Sequence, residues 1–300
     1  MLQRLLDGER VIVRTWRGGL HTLARLREAM DPPGVQAPRP QRRAFKARFE
    51  AAAARLVAPV AEGRVALPDG PRIGFLDTPG LRSMLELQRM ERAWGVHVKG
   101  AHLPVLGASL HPWWGTYVPR RTEHLELFAT WLKEHPGPGR AIDVGTGCGV
   151  LAFLLAKAGY RTLATDINEG AVRSVRDDAE RLDLRVTPRK ADLLGGCSPV
   201  DLVVFNPPWT PGEVVDALDA AHSYPDDLFP RFFEQAAAAL KPEGRVVLIF
   251  SNLIRLVLPD APHPIEVELQ GDRFTLVDKR QRRVKGPTKE KVEVWELAAS

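Results

Sequence analysis

The segment Asp143-Val144-Gly145-Thr146-Gly147-Cys148-Gly149 sets a carboxylate and three glycines within seven residues, and the apolar run Val150 to Ala158 follows at once. A short buried strand (Ala141, Ile142, Val144) therefore ends in glycines, and a helix starts on the last of them. Gly145, Gly147 and Gly149 remove side chains where the backbone must bend and lie against a ligand, and the helix N-terminus turns free amides toward it. The spacing narrows the ligand. A dinucleotide fingerprint has glycines at its first, third and sixth positions, but the sixth residue counted from Gly145 is Val150. A P-loop is excluded because no Gly-Lys-Ser or Gly-Lys-Thr follows. Asp166 closes the run Leu163-Ala164-Thr165 and stands 21 residues after Gly145, where the next parallel strand ends beside the turn. A carboxylate there accepts both hydroxyls of a ribose, or else caps the following helix. The buried run Asp201-Leu202-Val203-Val204-Phe205 delivers Asn206-Pro207-Pro208-Trp209 at its carboxyl end, the end at which open parallel sheets hold ligands.

In this order the residues resemble the class I, Rossmann-like S-adenosylmethionine-dependent methyltransferases. Asp143 to Gly149 resembles their first motif. Asn206-Pro207-Pro208-Trp209 is similar to the fourth motif of the glutamine (release factor) and RNA base-amine N-methyltransferases, the methyltransferase small domain group. The resemblance implies S-adenosyl-L-methionine as cofactor and no metal. It assigns cofactor binding to Asp143, Gly145, Thr146, Gly147, Gly149, Asp166, Ile167, Asp192, Leu193 and Asn206, with Asp192 reaching the adenine amino group and the acidic Asp143 near the turn suiting a cationic ligand. It makes Asn206, Pro207, Pro208 and Trp209 the catalytic set.

The chemistry accounts for those residue types. An amide or exocyclic amine nitrogen is a poor nucleophile because its lone pair is delocalised, so the site must hold that lone pair toward the sulfonium methyl. The Asn206 side-chain carbonyl and the Pro207 backbone carbonyl are placed to accept the two N–H protons. The two prolines stiffen the loop, and Trp209 offers a flat face to an amide or base. Two features depart from the glutamine enzymes. Their Pro-Arg-x-x-Glu-like lead-in is here Pro119-Arg120-Arg121-Thr122-Glu123, and their Gly-Gly-x-Asp-Gly-like loop is replaced by Ala220-Ala221-His222-Ser223-Tyr224-Pro225-Asp226-Asp227.

The elements that must position these residues follow from the alternation of apolar runs and breakers. Strands are predicted at 141–144, 162–165, 184–187, 201–205, 245–250, 273–278 and 292–297, and helices at 150–158, 170–182, 228–240 and near 253–258. The expected fold is α/β: a seven-stranded, mostly parallel sheet with flanking helices and one antiparallel strand, over residues 113–300. Thr122 is placed to cap a helix with Leu125, Phe128, Ala129 and Leu132 inward. Residues 1–112 show no such alternation and are expected to form a smaller, mainly helical or mixed domain for acceptor recognition. Helices are predicted from Leu20 to Met30, from Gln41 to Val57 and from Leu81 to Trp94, and short strands at 63–67 and 72–76 about a Pro-Asp-Gly-Pro turn. At the junction, Trp113 and Trp114 either wall a pocket or pack an interface.

Composition places the chain among globular proteins. It has 300 residues, no apolar stretch of membrane-spanning length, no signal-peptide core in MLQRLLDGER and only two cysteines, Cys148 and Cys197, which predicts a cytoplasmic setting. The net charge of +5 is uneven: residues 1–60 hold twelve Arg or Lys against five Asp or Glu, and a second basic run spans Lys279 to Lys285. Clusters of this kind suit RNA, a ribosome or another acidic partner, or are simply a solvated face. The function expected is transfer of a methyl group to a planar amide or exocyclic amine nitrogen of a translation-machinery protein glutamine or an RNA base. A small-molecule N-methyltransferase and a non-catalytic S-adenosylmethionine-binding module are the alternatives. His222 and Asp226 lie where the loop could touch an acceptor, and the sequence assigns them no role.

Overall fold

A computed structural model describes the chain except residues 35–36, 120, 198 and 213–222 and the side chain of Arg39, so His222 lies outside the described residues. The chain divides into two compact units, Met1–Val98 and Lys99–Ser300. Residues 99–112 bury Leu103, Leu106 and Leu110 in the core of the second unit.

The first unit is more regularly α/β than its sequence suggests. It runs α1 (Leu2–Leu6), β1 (Val11–Ile12), α2 (Trp16–Ala29), α3 (Arg39–Ala53), β2 (Leu56–Ala61), β3 (Arg64–Val65), β4 (Gly80–Ser83) and α4 (Met84–Lys99). Strand β2 pairs parallel with β1 and antiparallel with β3 and β4. Three expectations are corrected. The helix predicted from Gln41 to Val57 ends at Ala53, because Leu56, Val57, Ala58 and Val60 are the buried residues of a central strand. The helix predicted from Leu81 starts at Met84, since residues 80–83 form β4 on the open edge of β2. Residues 72–76 form no strand, only a single bridge between Arg64 and Arg72.

The second unit carries β5 (Ala101–Leu103), β6 (Ala108–Leu110), α5 (Glu123–Glu134), β7 (Arg140–Val144), α6 (Val150–Lys157), β8 (Arg161–Asp166), α7 (Glu169–Arg181), β9 (Val186–Lys190) and β10 (Val200–Phe205). It continues with β11 (Thr210–Pro211), β12 (Ser223–Tyr224), α8 (Leu228–Ala239), β13 (Leu240–Ser251), α9 (Leu253–Val257), α10 (Pro264–Glu268), β14 (Phe274–Arg283) and β15 (Lys291–Ala299). Seven strands form one sheet in the order β14-β15-β13-β10-β7-β8-β9, with β15 antiparallel to both neighbours. The expected seven-stranded, mostly parallel α/β sheet is present. Alternate residues of its strands face two cores: Ala141, Leu202, Val204, Val247 and Ile249 lie in one, and Ile142, Val203, Phe205, Val246 and Leu248 in the other. Strand β9 sits two residues later than predicted and admits Pro188 because it is the sheet's edge.

Helix α5 is fastened to the β14–β15 hairpin. Glu134 pairs with Arg280, Glu126 with Arg282, the Trp131 indole N–H donates to Glu296 at 2.8 Å, and Glu123 accepts the Lys285 amide at 3.1 Å. Of the basic run of residues 279–285, Arg280 and Arg282 are thus paired within the unit, as is Lys279, which sits on Glu293 and 3.6 Å from the Trp295 ring centroid. Among the described residues, no helix is long and apolar enough to cross a membrane.

Candidate active site at the carboxyl ends of the strands

The strand order reverses at β7: the chain moves out through β8 to β9, then returns to β10 on the other side. Carboxyl ends diverge at such a switch point and leave a crevice. A cavity of about 460 Å³ opens there, lined by Gly145, Thr146 and Gly147 after β7, by Asp166 and Ile167 at the end of β8, and by Asp192 and Leu193 after β9. Asn206, Pro207, Pro208 and Trp209 line it from the end of β10. Every residue expected in the site except Asp143 and Gly149 thus borders one cavity.

Those two stand behind it. Gly149 has φ +84° and is the N-cap of α6; a Cβ on it would come within 2.8 Å of both Phe153 and Val175, so only glycine fits. Without a side chain it cannot cap, and Asp143 does so from the neighbouring strand. Its Oδ2 accepts the Ala152 amide at 3.0 Å and the Thr146 hydroxyl at 2.6 Å. One of the helix amides expected to face a ligand is therefore taken by Asp143. Its other carboxylate oxygen is buried without a hydrogen-bond partner among the described residues, and burial pushes the pKa up to about 7.

Asp166 faces the cavity and is held by main chain. Oδ2 accepts the Gly147 amide at 2.9 Å and Oδ1 the Asn168 amide at 2.8 Å. Burial raises its pKa against the pull of these bonds. Asn168 extends the chain of contacts: its Oδ1 accepts from Gly170 N to cap α7, and its Nδ2 donates to the Gly115 carbonyl at 2.7 Å. Gly115, Tyr117 and Pro119 then form a wall of the cavity. Trp113 is not part of that wall: its indole N–H donates to Asp177 at 2.7 Å and Arg173 lies 3.4 Å over its ring, so it fastens the segment to α7. The Trp114 carbonyl approaches the same helix at Gly170.

At the far side of the cavity, Trp209 donates its indole N–H to Asn206 Oδ1 at 3.2 Å. Its ring meets His124 of α5 edge to face, with centroids 5.4 Å apart at 89°. Burial drives the His124 pKa down to about 4, and neither ring nitrogen has a hydrogen-bond partner among the described residues. His124 was not legible as a site neighbour, because a lone histidine in an amphipathic helix carries no spacing signal. Arg231 of α8 was also missed: it borders the cavity and pairs with both Asp192 and Asp227. Ser223 and Pro225 line the cavity, whereas Asp226 is exposed outside its lining.

The arrangement fits a nucleoside-bearing ligand with an adjoining planar group: a glycine cradle, a ribose-height carboxylate, the exposed apolar side chain of Ile167 and two carbonyl acceptors share one volume. Comparison with known proteins agrees. Residues 125–258 match the methyltransferase small domain family. A release factor glutamine methyltransferase of Bacteroides thetaiotaomicron is 32% identical over 152 residues, 44% of this chain and 54% of its own. A ribosomal RNA small subunit methyltransferase C of Chromohalobacter salexigens is 30% identical over 162 residues, 53% of this chain and 44% of its own. The chain thus spans about half the length of these curated relatives.

Proposed function

From the match of residues 125–258 to the methyltransferase small domain family and the cavity they border, we propose that this chain is an S-adenosylmethionine-dependent N-methyltransferase. Its acceptor is a planar nitrogen of the translation machinery, a protein glutamine amide or an exocyclic amine of an RNA base. The observation that carries this reading is the single cavity into which β8 delivers Asp166 and β10 delivers Asn206-Pro207-Pro208. When bound, S-adenosylmethionine supplies a methyl group on a positively charged sulfur.

The residues of the chain divide the remaining work. Asp166 accepts the ribose hydroxyls, Gly145 and Gly147 leave room for the ligand against the backbone, and Ile167 and Leu193 border the adenine with Asp192 at its amino group. The Asn206 carbonyl has two lone pairs, and Trp209 occupies one. The other, with the Pro207 carbonyl, takes the two N–H protons of the acceptor and so fixes where its lone pair points. No group has to remove a proton before transfer, since the neutral nitrogen attacks and releases its proton afterwards.

The test is transfer of tritiated methyl from S-adenosylmethionine into cell extract, divided by RNase and protease treatment. Label removed by either treatment supports the reading and names the acceptor. Label only in small molecules, or cofactor binding without any transfer, overturns it.

A further inference from the structure

The first unit holds a second cavity, of about 560 Å³, between α2, α3 and α4. Each helix contributes one stripe at helical spacing: Leu20, Leu23, Ala24 and Arg27 from α2; Arg42, Phe45, Lys46 and Phe49 from α3; Leu85, Gln88, Arg89 and Arg92 from α4. Such a seam between amphipathic helices is ordinarily apolar. Here it gathers five cations, Arg27, Arg42, Lys46, Arg89 and Arg92, against one carboxylate, Glu50, which pairs with Arg89. Its apolar lining pairs aliphatic residues with two aromatic rings. Phe45 and Phe49 lie with their rings 5° from parallel, and the Arg27 guanidinium stands 5.9 to 6.0 Å from both ring centroids.

We propose that this groove binds a single-stranded polynucleotide, its phosphates on the arginines and a base against Phe45. Excess positive charge in one concavity repels itself and is relieved by a ligand with regularly spaced negative charge, which also releases condensed counterions. An acidic peptide would meet the charge alone, whereas an unpaired base also stacks on aromatic rings and guanidinium planes. In the other basic run, on β14, Lys279, Arg280 and Arg282 are paired with carboxylates of their own unit, whereas the groove joins its cations to a cavity with room for a ligand. This assignment is independent of the chemistry at the carboxyl ends of the strands.

The experiment is fluorescence anisotropy of the full chain with a labelled single-stranded RNA of about 12 nucleotides, over a range of salt concentrations. Arg42→Glu with Arg92→Glu alters two exposed side chains outside the Arg89–Glu50 pair. The double variant is expected to weaken RNA binding at least about tenfold and to flatten the log–log salt slope by about two. Phe45→Leu, which keeps an apolar side chain but no ring, is expected to weaken RNA about fivefold and leave polyglutamate binding unchanged. Circular dichroism and thermal unfolding of the same variants report that the first unit is folded, and their S-adenosylmethionine binding, which belongs to the other unit, is expected to be unchanged. Unchanged RNA affinity in the double variant overturns the proposal, as does polyglutamate bound as tightly as RNA.

Discussion

The two sides of the strand-end cavity are held by different means. On the glycine-turn side, polar groups are fixed by main chain: Asp166 by the amides of Gly147 and Asn168, Asp143 by the amide of Ala152. On the Asn206 side, the working carbonyl is held by a side chain, the indole of Trp209, which is in turn packed on the side chain of His124. Main-chain amides at a turn move only if the turn does, so the first side is prepared before a ligand arrives. A side-chain hydrogen bond can be exchanged one partner at a time, which suits a group that must accept from a substrate and let it go.

This contrast is open to measurement. Asn206→Ala should lower methyl transfer roughly 100- to 1,000-fold in single-turnover assays, as loss of an orienting polar group in a preorganised site does, with cofactor affinity unchanged. Equal loss of cofactor binding would show that the two sides are not separable. Asp166→Ala should act in the opposite sense, raising the S-adenosylmethionine Kd roughly 10- to 100-fold by removing charged hydrogen bonds, while the rate at saturating cofactor stays near normal. Calorimetry beside the kinetics would reveal a variant that fails both ways.

Asp143 sharpens the comparison because its pKa is raised, from 3.8 to about 7. A carboxyl shifted upward stabilises the fold fully below its ordinary value, and that contribution is lost as pH rises through about 7. Relative to Asp143→Asn, which retains a carbonyl acceptor and cannot ionise, the wild-type chain should lose up to about 1.4 kcal/mol of stability per pH unit within that window. Paired denaturant titrations from acid to neutral pH check this, and parallel curves would mean that folding leaves the Asp143 pKa near its ordinary value. Trp209→Phe is expected to be the mildest change. It removes one neutral hydrogen bond to Asn206, worth roughly a two- to tenfold change in transfer rate. A larger loss would mean that the indole itself contacts the acceptor.

The second unit was legible because its central strands β7, β8 and β10 are five or six residues long, largely buried, and end beside chemically distinctive groups. Asp166 and Asn206 could be placed at strand ends from the pattern alone. The same pattern could not show that Asp143 turns its carboxylate to the next helix, since strand periodicity fixes a face and not a partner. In the first unit, β1 and β3 are two residues each, too short for any period, and β2 reads as the tail of the helix before it until its neighbours in space are known. His124 and Arg231 reach the site from helices far along the chain from the motifs they touch.

The fastening of α5 to β14 and β15 also bears on when the site exists during synthesis. His124 supports Trp209 from α5, and α5 is held by Arg280, Arg282, Lys285 and Glu296. The glycine turn and the Asn206 loop both precede those residues in the chain. On a ribosome they emerge before the hairpin that steadies the helix behind them. The nascent chain therefore has its binding motifs well before it has a finished site, and competence arrives with β15, in a single late step of domain folding.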